Sequence, residues 1–506
     1  MTTLGAKAMG GVAAAAVAVG VAQLVAAAFG PEADVRTAVG SAAIALTPGP
    51  VKEWAIDTFG TADKLFLTVA VLLAIAVIAA VAGMAETKRR PIGSTAIVIA
   101  GGVGCAAVLS RAGATAVDLI PTIVGAVCGV AVLRLLVSDR FRDTEDDSSD
   151  TDTGRRLSLV TLGLLGAGVA SGVVGVVVTR LTSSVSGDRQ AFALPRAKQA
   201  APPIPASVQP AGVELPPFVT DNADFYRIDT ALTVPQVSRT DWQLRIHGMV
   251  DREVTYRFED LERFEVVERV VTLTCVSNPV GGELISNAVW TGYRVSDLLA
   301  EAGVQPDADM VLSMSVDGWT AGTPVEALTD DGAMLAIGMN GQPLPVEHGY
   351  PARLVVPGLY GYVSATKWVT ALELTRFDRA EAYWTRLGWG VRGPIKTESR
   401  IDVPRSGQDV ALGPVTFGGV AWAQDRGVRA VEVQIDDGEW QQAELGDAYS
   451  GDTWRLWSFP WEATDTGFHK ITVRATDNTG YTQTPDRADP VPDGATGWHS
   501  ITFAVR

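Results

Sequence analysis

The sequence predicts a multidomain protein with an N-terminal α-helical transmembrane bundle, an α+β domain and a C-terminal β-sandwich. Three observations support this prediction. Residues 1–180 are mostly Ala, Val, Leu, Ile and Gly, a Pro- and Ala-rich stretch follows them, and strand patterns begin only after that stretch. The predicted domains are a membrane bundle (1–181), a linker (182–217), an α+β domain (218–400) and a sandwich domain (401–506).

Several apolar stretches in the first part of the chain approach the length of a membrane helix. A bilayer core of about 30 Å needs about 20 apolar residues per helix. The candidates are Met9–Phe29, Ala62–Met84, Ser94–Leu109, Thr115–Val137 and Leu157–Val178. The sequence therefore predicts a bundle of five helices, of which the third is the shortest.

Basic residues between these stretches predict the orientation, because cytoplasmic loops collect Lys and Arg. The basic residues after the second stretch and between the fourth and fifth are Lys88, Arg89, Arg90, Arg140, Arg142, Arg155 and Arg156. Both loops are therefore predicted to be cytoplasmic. The chain after Arg180 is then extracytoplasmic, on a multi-pass protein of the cell membrane.

Arg155 and Arg156 also precede an apolar run in "TGRRLSLVTLGLLGAG". This segment resembles a twin-arginine export signal at an internal position. A signal of that kind exports domains that have already folded. Ordinary positive charge on a cytoplasmic loop explains the same residues at least as well, and both interpretations stay open.

The distribution of charge and of histidine excludes two classes of partner. The first 180 residues hold equal numbers of acidic and basic residues, so the net charge of -16 belongs to the rest of the chain. An acidic surface repels nucleic acid, so a nucleic-acid partner is not predicted. The four histidines, His247, His348, His469 and His499, also lie after residue 180. A haem held by paired helix histidines in the bundle is therefore not expected.

The linker and the α+β domain differ in pattern. The linker sequence "ALPRAKQAAPPIPASVQPAGVELPP" predicts an extended tether. After it, "DWQLRIHGMV", "RVVTLTC", "MVLSMSV" and "ARLVVPG" predict strands, and "RVSDLLAEAG" predicts a helix. No glycine-rich phosphate loop follows a strand, so a nucleotide-binding fold is not predicted.

Of the three cysteines, Cys105 and Cys128 lie in the apolar stretches of the predicted bundle, and Cys275 lies in the part of the chain that follows it. It ends an apolar strand and precedes Asn278 and the pair Gly281–Gly282. A lone cysteine is ordinarily a buried structural thiol. The glycines, however, let backbone approach closely, and a thiolate is a soft metal ligand. Metal ligation is the alternative.

Two long motifs decide between these alternatives. In chain order they are "LTCVSNPVGG...ISNAVWTGYRVSDLLAEAGV" and "IGMNGQPLPVEHGYPARLVVPGLYGYVSATKWV". They resemble the molybdopterin-binding domain of the sulfite oxidase family, and the resemblance covers roughly residues 218–506. It implies a molybdenum-molybdopterin cofactor and two-electron oxygen-atom transfer on a small-molecule substrate.

The resemblance also implies roles for individual residues. Cys275 falls at the position of the family's single protein ligand to molybdenum, and Arg227 and Trp389 fall at active-site positions. The cofactor-binding positions are Tyr226, Asp229, Asn278, His348, Arg353, Ser364 and Lys367.

The chemistry of these residues agrees with the implied roles. A terminal phosphate needs cationic donors, which Arg353 and Lys367 provide within an acidic domain. Taken singly, either cation is as readily a surface ion pair, and His348 a turn histidine bonded to backbone. Together with Cys275, the three residues favour a cofactor site.

Two positions depart from the pattern of sulfite-oxidising members. Val280 stands where those members carry an arginine, and Trp389 stands where they carry an active-site tyrosine. Losing one charge-assisted hydrogen bond costs about 1.5–3 kcal/mol, so a less charged substrate such as a sulfoxide becomes an alternative to sulfite. Arg386 or Arg392 would restore a cation from another direction, and the sequence leaves this open.

The family's haem-bearing domain has no counterpart in the recognised segments, so we predict no haem. Electrons are then expected to pass to or from a separate carrier, a quinone or a cytochrome. The membrane bundle is expected to serve at least as an anchor.

Short alternating strands recur after residue 401, in "VRAVEVQID", "WQQAELG", "WRLWSFPWE", "HKITVRATD" and "WHSITFAVR". Their spacing predicts a sandwich of immunoglobulin type. The expected core or interface anchors are Trp440, Trp454, Trp457 and Trp461. The segment resembles the family's dimerisation domain, and this resemblance implies a homodimer by analogy. A membrane-tethered member that stays monomeric is the alternative.

A second function class stays open at this point. A catalytically silent, membrane-tethered binding or adhesion protein would also use the sandwich and the tether. Such a protein has no physical reason to keep Cys275, His348, Arg353 and Lys367 together.

Overall fold

The computed structural model describes residues 3–30, 33–47, 51, 63–111, 114–138 and 150–506. Backbone contacts divide the chain into two units. The first comprises Met1–Ser184 with Thr230–Val234, and the second comprises Val185–Asp229 with Pro235–Arg506.

The first unit is helical. Its long helices are α1 (Thr3–Ala26), α2 (Val35–Leu46), α3 (Asp63–Ala85), α4 (Ile92–Leu109), α5 (Ile120–Val137) and α6 (Asp150–Ser183). Among the described residues, five helices are long and apolar enough to cross a membrane, and they match the five predicted stretches. Helix α2 was not predicted, and its 12 residues are too few for a bilayer core of about 30 Å.

Small residues set the packing of α1, which contacts α3, α5 and α6. Ala13 and Ala14 of α1 are fully buried. A Cβ atom at Gly20 would overlap the backbone of Gly168 in α6, so only glycine allows this approach of the two helices. Close approach through small residues is the usual packing of membrane helices.

A buried carboxylate joins the end of α3 to the start of α4. Glu86 is fully buried, and its Oε2 accepts hydrogen bonds from the backbone N–H groups of Gly93 (2.7 Å) and Ser94 (3.1 Å). Its Oε1 accepts from the Ser94 hydroxyl at 2.8 Å and lies 3.5 Å from Nε of Arg134. Glu86 therefore caps α4, because it satisfies amides that the helix itself leaves unpaired.

Two sheets and short helices build the α+β domain in the second unit. The strands are β1 (Gln243–Gly248), β2 (Val254–Arg257), β3 (Val266–Thr274), β4 (Ile285–Arg294), β5 (Met310–Ser315), β6 (Thr320–Pro324), β7 (Met334–Met339), β8 (Gln342–Pro343), β9 (Arg353–Val355) and β10 (Val369–Thr375). One sheet has the order β2-β1-β10-β5-β6, and the other has the order β3-β4-β7-β8 with β9 paired to β7. The helices of the second unit are α7 (Ser186–Ala191), α8 (Val295–Ala302), α9 (Val325–Thr329) and α10 (Gly361–Ser364).

The predicted strands and helix of this domain are present. Three of the quoted strand segments contain β1, β5 and β9, and the quoted helical segment contains α8. The segment "RVVTLTC" covers only the second part of β3, which begins at Val266. Trp242, Leu244 and Leu298 lie in the larger core, and Trp290 and Phe225 lie in a second core. The second core underlies the strands that carry the candidate site.

Two further sheets form the C-terminal domain. Their strands are β11 (Glu398–Val403), β12 (Asp409–Val410), β13 (Gly413–Trp422), β14 (Val428–Ile435), β15 (Gln441–Gln442), β16 (Glu444–Leu445), β17 (Arg455–Ala463), β18 (Gly467–Asp477) and β19 (His499–Val505). The sheet orders are β11-β13-β17-β16 and β12-β19-β18-β14-β15. Phe417, Trp457 and Ile471 come from both sheets into one core. The domain is thus a two-sheet β structure, and its immunoglobulin type stays a prediction.

The predicted tether is packed from Val185 onward. Val208 is 3% exposed and lies in a core with Phe218 and Trp454. The Tyr449 hydroxyl donates to the Pro202 carbonyl at 2.7 Å. An extended, proline-rich segment can still bury its apolar side chains along a neighbouring surface, so a free linker does not describe these residues.

Candidate active site

Cys275 opens the loop between two paired strands. Strand β3 ends at Thr274, and β4 returns from Ile285, its register partner. The Cys275 amide donates to the Leu284 carbonyl at 2.9 Å, so the pairing continues one step beyond the strands. The Asn278 side chain closes the loop, because its Oδ1 accepts from the Leu284 amide at 2.8 Å.

The two glycines of this loop admit close neighbours. Gly281 has φ +79°, and a Cβ atom there would overlap the imidazole of His499. A Cβ atom at Gly282 would lie 2.5 Å from Oδ1 of Asn278. The close approach expected at Gly281–Gly282 is therefore made to protein side chains. The sequence offers no local signal for His499, which lies in the other domain of the same unit.

The Cys275 thiol is buried. It is 9% exposed, and its Sγ lies 2.9 Å from Oγ of Ser277. Burial raises the pKa of Cys275 above its usual value, although the hydrogen bond from Ser277 lowers it. A bound metal would deprotonate such a thiol outright.

Arg353 and Lys367 face each other across an isolated strand bridge. The Leu354 amide donates to the Thr366 carbonyl at 2.9 Å beside this bridge. The fold thus brings together two cations that are separated in sequence.

Arg353 has an unusual environment for a cation. It is 5% exposed, and its guanidinium donates to the carbonyls of His348 (3.2 Å), Leu354 (3.3 Å) and Ala365 (3.4 Å). Its Cζ lies 5.1 Å from the Trp290 ring. Among the residues that the structure describes, no carboxylate lies within ion-pair distance of it. Burial therefore lowers the pKa of Arg353 to about 10.

Lys367 does have a carboxylate partner. Its Nζ lies 2.8 Å from Oδ2 of Asp229 and donates to the Glu347 carbonyl at 3.1 Å. The same Asp229 oxygen accepts from Nε of Arg227 at 2.9 Å. Burial is the largest influence and lowers the pKa of Lys367 to about 8, against the opposing effect of Asp229. The candidates Arg227, Asp229 and Lys367 thus form one ion cluster.

His348 is a neutral donor or acceptor rather than a third cation. It is 3% exposed, and burial, followed by Arg353 and Lys367, lowers its pKa to about 3. Its Nε2 lies 3.3 Å from the Asn222 carbonyl, which can only accept. In the neutral ring the proton is therefore on Nε2, and Nδ1 is an acceptor.

Tyr226 connects the thiol to the cations. Burial raises the pKa of Tyr226 above its usual range, Cys275 raises it further, and Arg353 lowers it. A Cβ atom on Gly361 would lie 3.8 Å from the Tyr226 hydroxyl and 3.8 Å from the Thr274 carbonyl. The Tyr226 hydroxyl is therefore near the end of β3 and within electrostatic reach of both groups. Cys275, Tyr226 and Arg353 therefore lie in one region of the domain.

Ser364 and Trp389 are engaged elsewhere. The Ser364 hydroxyl is directed to the carbonyls of Tyr360 (3.0 Å) and Leu359 (3.2 Å). Trp389 is half-buried in an aromatic cluster, 5.9 Å from the Tyr362 ring and 6.1 Å from the Trp384 ring. Neither makes a hydrogen bond or an aromatic ring contact with Cys275 or Arg353 in the described part of the chain.

Arg386 and Arg392 were considered as replacements for the arginine that is absent at Val280, and the structure gives both of them other surroundings. Nη1 of Arg392 lies 3.2 Å from Oε1 of Glu326, and its guanidinium lies 4.7 Å from the Phe377 ring. Arg386 is exposed at the turn before Trp389. The structure therefore favours neither as a ligand for an anion at Val280.

Comparison with known proteins identifies the family of the chain. Residues 231–384 match the family described as oxidoreductase molybdopterin binding domain. The uncharacterized oxidoreductase YuiH of Bacillus subtilis (strain 168) is 35% identical over 154 residues, which are 30% of this chain and 75% of YuiH.

Larger relatives extend the similarity beyond that domain. The mitochondrial sulfite oxidase of Homo sapiens is 30% identical over 359 residues, 59% of this chain and 65% of that protein. The chain thus spans slightly less than two thirds of the sulfite oxidase. The NADH nitrate reductase of Spinacia oleracea is 26% identical over 315 residues, 49% of this chain and 34% of the reductase.

Among solved structures, the sulfane dehydrogenase SoxCD of Paracoccus pantotrophus is similar with a TM-score of 0.48 and 26% identity, covering 53% of this chain and 75% of that one. The sequence relatives and the matching domain agree with the expectation from the two motifs. The chain is a molybdenum-cofactor oxidoreductase and belongs to the sulfite oxidase family.

Proposed function

We propose that Cys275 ligates the molybdenum and that Arg353 and Lys367 hold the phosphate of the molybdopterin. The observation that carries this proposal is Arg353, a buried cation without a carboxylate within ion-pair distance among the described residues. Burying an unpaired charge is unfavourable, so an anionic ligand would stabilise it. When bound, the cofactor supplies a centre that exchanges an oxygen atom and two electrons with the substrate.

The remaining polar groups fit the pterin part of such a ligand. Nδ2 of Asn278 is buried and has no hydrogen-bond partner among the described residues, so its two hydrogens are available. Nδ1 of the neutral His348 is an acceptor. Tyr226 and the Arg227–Asp229 pair complete the proposed set, and Arg227, with its side chain 40% exposed, is the candidate to contact substrate.

We infer that the substrate is a small sulfur-containing molecule or an oxyanion, with a neutral sulfur oxide such as a sulfoxide as the favoured class. The relatives named for sulfite and nitrate act on oxyanions. In this chain Val280 supplies no charge beside Cys275, and Arg392 is paired with Glu326. Trp389, the proposed third catalytic group, would offer an apolar wall to an uncharged substrate.

The soluble part is proposed to lie outside the cytoplasm. Lys88, Arg89 and Arg90 follow α3 and support a cytoplasmic loop there. Arg155 and Arg156 lie in the helical backbone of α6, and Arg140 and Arg142 lie outside the described residues. Export through a twin-arginine signal at Arg155 and Arg156 is part of this proposal.

The proposed partners follow from this location. A quinone or a cytochrome would exchange electrons with the site, and no haem is proposed in this chain. The C-terminal domain is the proposed surface for a homodimer. An anchoring role for the bundle is the minimal proposal.

Metal and pterin analysis of the purified full chain tests the ligand assignment. We expect near-stoichiometric molybdenum and pterin when the host makes molybdopterin, and loss of molybdenum and activity in Cys275→Ser. Cys105→Ser, which changes a thiol in α4, is the matched control and should keep both. A folded wild type without molybdenum, or Cys275→Ser with unchanged molybdenum, would contradict the proposal.

The substrate class is tested by a gain of charge. Wild type should reduce methionine sulfoxide faster than it oxidises sulfite, and Val280→Arg should shift this ratio toward sulfite by about tenfold or more, the effect of one charge-assisted hydrogen bond. Faster sulfite oxidation by wild type would contradict the preference for a neutral substrate.

A further inference from the structure

An arginine of the C-terminal domain holds the loop that Cys275 opens. Arg400 lies on β11 and is 6% exposed. Its Nη1 donates to the Gly282 carbonyl at 2.7 Å, and its Nε lies 2.8 Å from Oδ1 of Asp402. A planar guanidinium that a carboxylate already orients loses little freedom when it binds a carbonyl. The place of Gly282 is therefore fixed by a residue 118 positions further along the chain.

His499 holds the neighbouring glycine. Its Nδ1 accepts from the Ile401 amide at 3.0 Å, which orients the ring against β11. Burial, followed by Arg400 and Arg487, lowers the pKa of His499 to about 4, so the ring is neutral and Nδ1 can accept. A Cβ atom at Gly281 would overlap this imidazole. The ring thus occupies the side of Gly281 on which any other residue would carry its side chain.

A third contact from the C-terminal domain reaches the strand before Cys275. Gln424 is fully buried, and its Nε2 donates to Oγ1 of Thr274 at 2.8 Å and to the Thr272 carbonyl at 3.3 Å. Thr274 is the last residue of β3 and directly precedes Cys275. The C-terminal domain therefore contacts the chain on both sides of the thiol.

Short hydrogen bonds connect the held glycines to Cys275. The Gly282 amide donates to the Pro279 carbonyl at 2.8 Å, and the Asn278 amide donates to the Cys275 carbonyl at 3.1 Å. A Cβ atom at Gly282 would lie 2.5 Å from Oδ1 of Asn278, so these two residues are in close contact. A displacement of Gly282 would therefore move Asn278 and, through it, the backbone that carries the thiol.

We propose that Arg400 and His499 are positioning residues of the active site, which hold the 278–282 loop so that Cys275 and Asn278 keep the orientation needed to bind the cofactor. This inference rests on the proposed function, because Cys275 is the proposed ligand. It gives the C-terminal domain a part in the site that is separate from the proposed homodimer. The contacts of Arg400, His499 and Gln424 all fall on residues that flank the thiol, which supports this part.

Thiol reactivity of the cofactor-free chain tests the positioning without turnover. In a Cys105→Ser/Cys128→Ser background Cys275 is the remaining cysteine of the sequence. A host that cannot synthesise molybdopterin supplies the full chain in detergent. Iodoacetamide should modify the buried Cys275 slowly, and Arg400→Met should increase the rate by about tenfold, because a hydrogen bond from a charged group to the loop is lost.

His499 variants and a second arginine provide the controls. His499→Phe keeps an aromatic ring without the acceptor and should also increase the rate, whereas His499→Asn, whose Oδ1 can replace Nδ1, should stay closer to wild type. Arg474→Gln removes an arginine of β18 that lies 2.8 Å from Glu432, and it should leave the rate unchanged. Unchanged reactivity in both Arg400→Met and His499→Phe would overturn the proposal. An equal increase in Arg474→Gln would also overturn it, because the effect would then be a general loss of stability.

The chain made with molybdopterin tests the consequence for the site. Arg400→Met should keep molybdenum but change its electron paramagnetic resonance spectrum, and kcat should fall by about tenfold or more with little change in KM, because small misplacements of reacting groups are costly. A wild-type spectrum and kcat in this variant would count against positioning. A folded wild type without molybdenum would instead refute the proposed function, and the thiol reactivity would then decide the role of Arg400 by itself.

Discussion

Glu86 in the helical unit and Arg353 in the α+β domain are both buried charges, but they differ in their partners. Glu86 accepts three hydrogen bonds at 2.7–3.1 Å and has Arg134 at 3.5 Å. Arg353 has three carbonyls at 3.2–3.4 Å and, among the described residues, no carboxylate within ion-pair distance. A charge with complete partners stabilises the fold, whereas a charge lacking a counter-ion indicates a ligand.

The largest expected effect that tests this difference is on Arg353. Arg353→Met should reduce cofactor retention by about 100-fold, since two charge-assisted hydrogen bonds of about 1.5 kcal/mol each would be lost. The cofactor-free variant, made in a host that cannot synthesise molybdopterin, should be at least as stable as wild type, because replacing a buried charge by an apolar side chain is often neutral or stabilising.

Molybdenum content after gel filtration and thermal unfolding of the cofactor-free chain measure the two parts of this prediction. Arg353→Lys is the control that keeps the charge and should retain part of the cofactor. Marked destabilisation of cofactor-free Arg353→Met would remove the distinction between the two buried charges.

Glu86→Ala should destabilise the fold without changing cofactor retention, the reverse of the result expected for Arg353→Met. Leaving three donors without an acceptor should reduce the free energy of unfolding by about 3 kcal/mol. Thermal unfolding in detergent measures this loss, and molybdenum content should not change. Arg134→Gln is the matched control, because it removes only the 3.5 Å contact with Oε1 of Glu86 and keeps the three hydrogen bonds that Glu86 accepts, so it should cost less stability than Glu86→Ala.

Raising the pH should weaken cofactor binding through Lys367, whose pKa is lowered to about 8. The site keeps this cation below that pKa and loses it above, so cofactor retention should fall by about tenfold from pH 7 to pH 9.5, as one charge-assisted hydrogen bond predicts. Lys367→Arg should abolish the fall. A retention profile with no change across this range would contradict the assignment.

In the cofactor-free chain, the contribution of Lys367 to stability should rise with pH, whereas cofactor retention should fall with pH. From about pH 8 to 10.5 the unfolded chain binds more protons at this residue than the folded chain does. The contribution of Lys367 to stability therefore rises with pH across that window. Comparing pH-dependent unfolding of wild type and Lys367→Met isolates this contribution.

Ser364→Ala should have the smallest effect. Its hydroxyl already interacts with the carbonyls of Leu359 and Tyr360, so molybdenum content should stay unchanged and stability should fall by about 1 kcal/mol or less. Loss of cofactor in this variant would return Ser364 to the set of cofactor ligands.

Sequence patterns were sufficient where a local rule decides the structure. Apolar length predicted the five membrane-length helices, and alternation predicted β1, β3, β5 and β9. The linker prediction failed from Val185 onward because composition reports chain stiffness but says nothing of which surface the chain packs against.

The candidate site divides in the same way. The motifs identified Cys275, His348, Arg353 and Lys367 by their order in the chain. They could not indicate that Asp229 joins Arg227 and Lys367, or that His499 packs against Gly281. The contacts of Asp229 with Lys367 and of His499 with Gly281 join segments far apart in sequence.

The sequence by itself determined the family, the apolar helices and the residue types available for a molybdenum cofactor, because each depends on local pattern or motif. Only the tertiary structure decided which charges are balanced. Glu86 gains its partners from the adjoining helix start, whereas Arg353 is left with carbonyls. Burial and counter-charge are properties of three-dimensional packing, and they distinguish a structural ion from one that awaits a ligand.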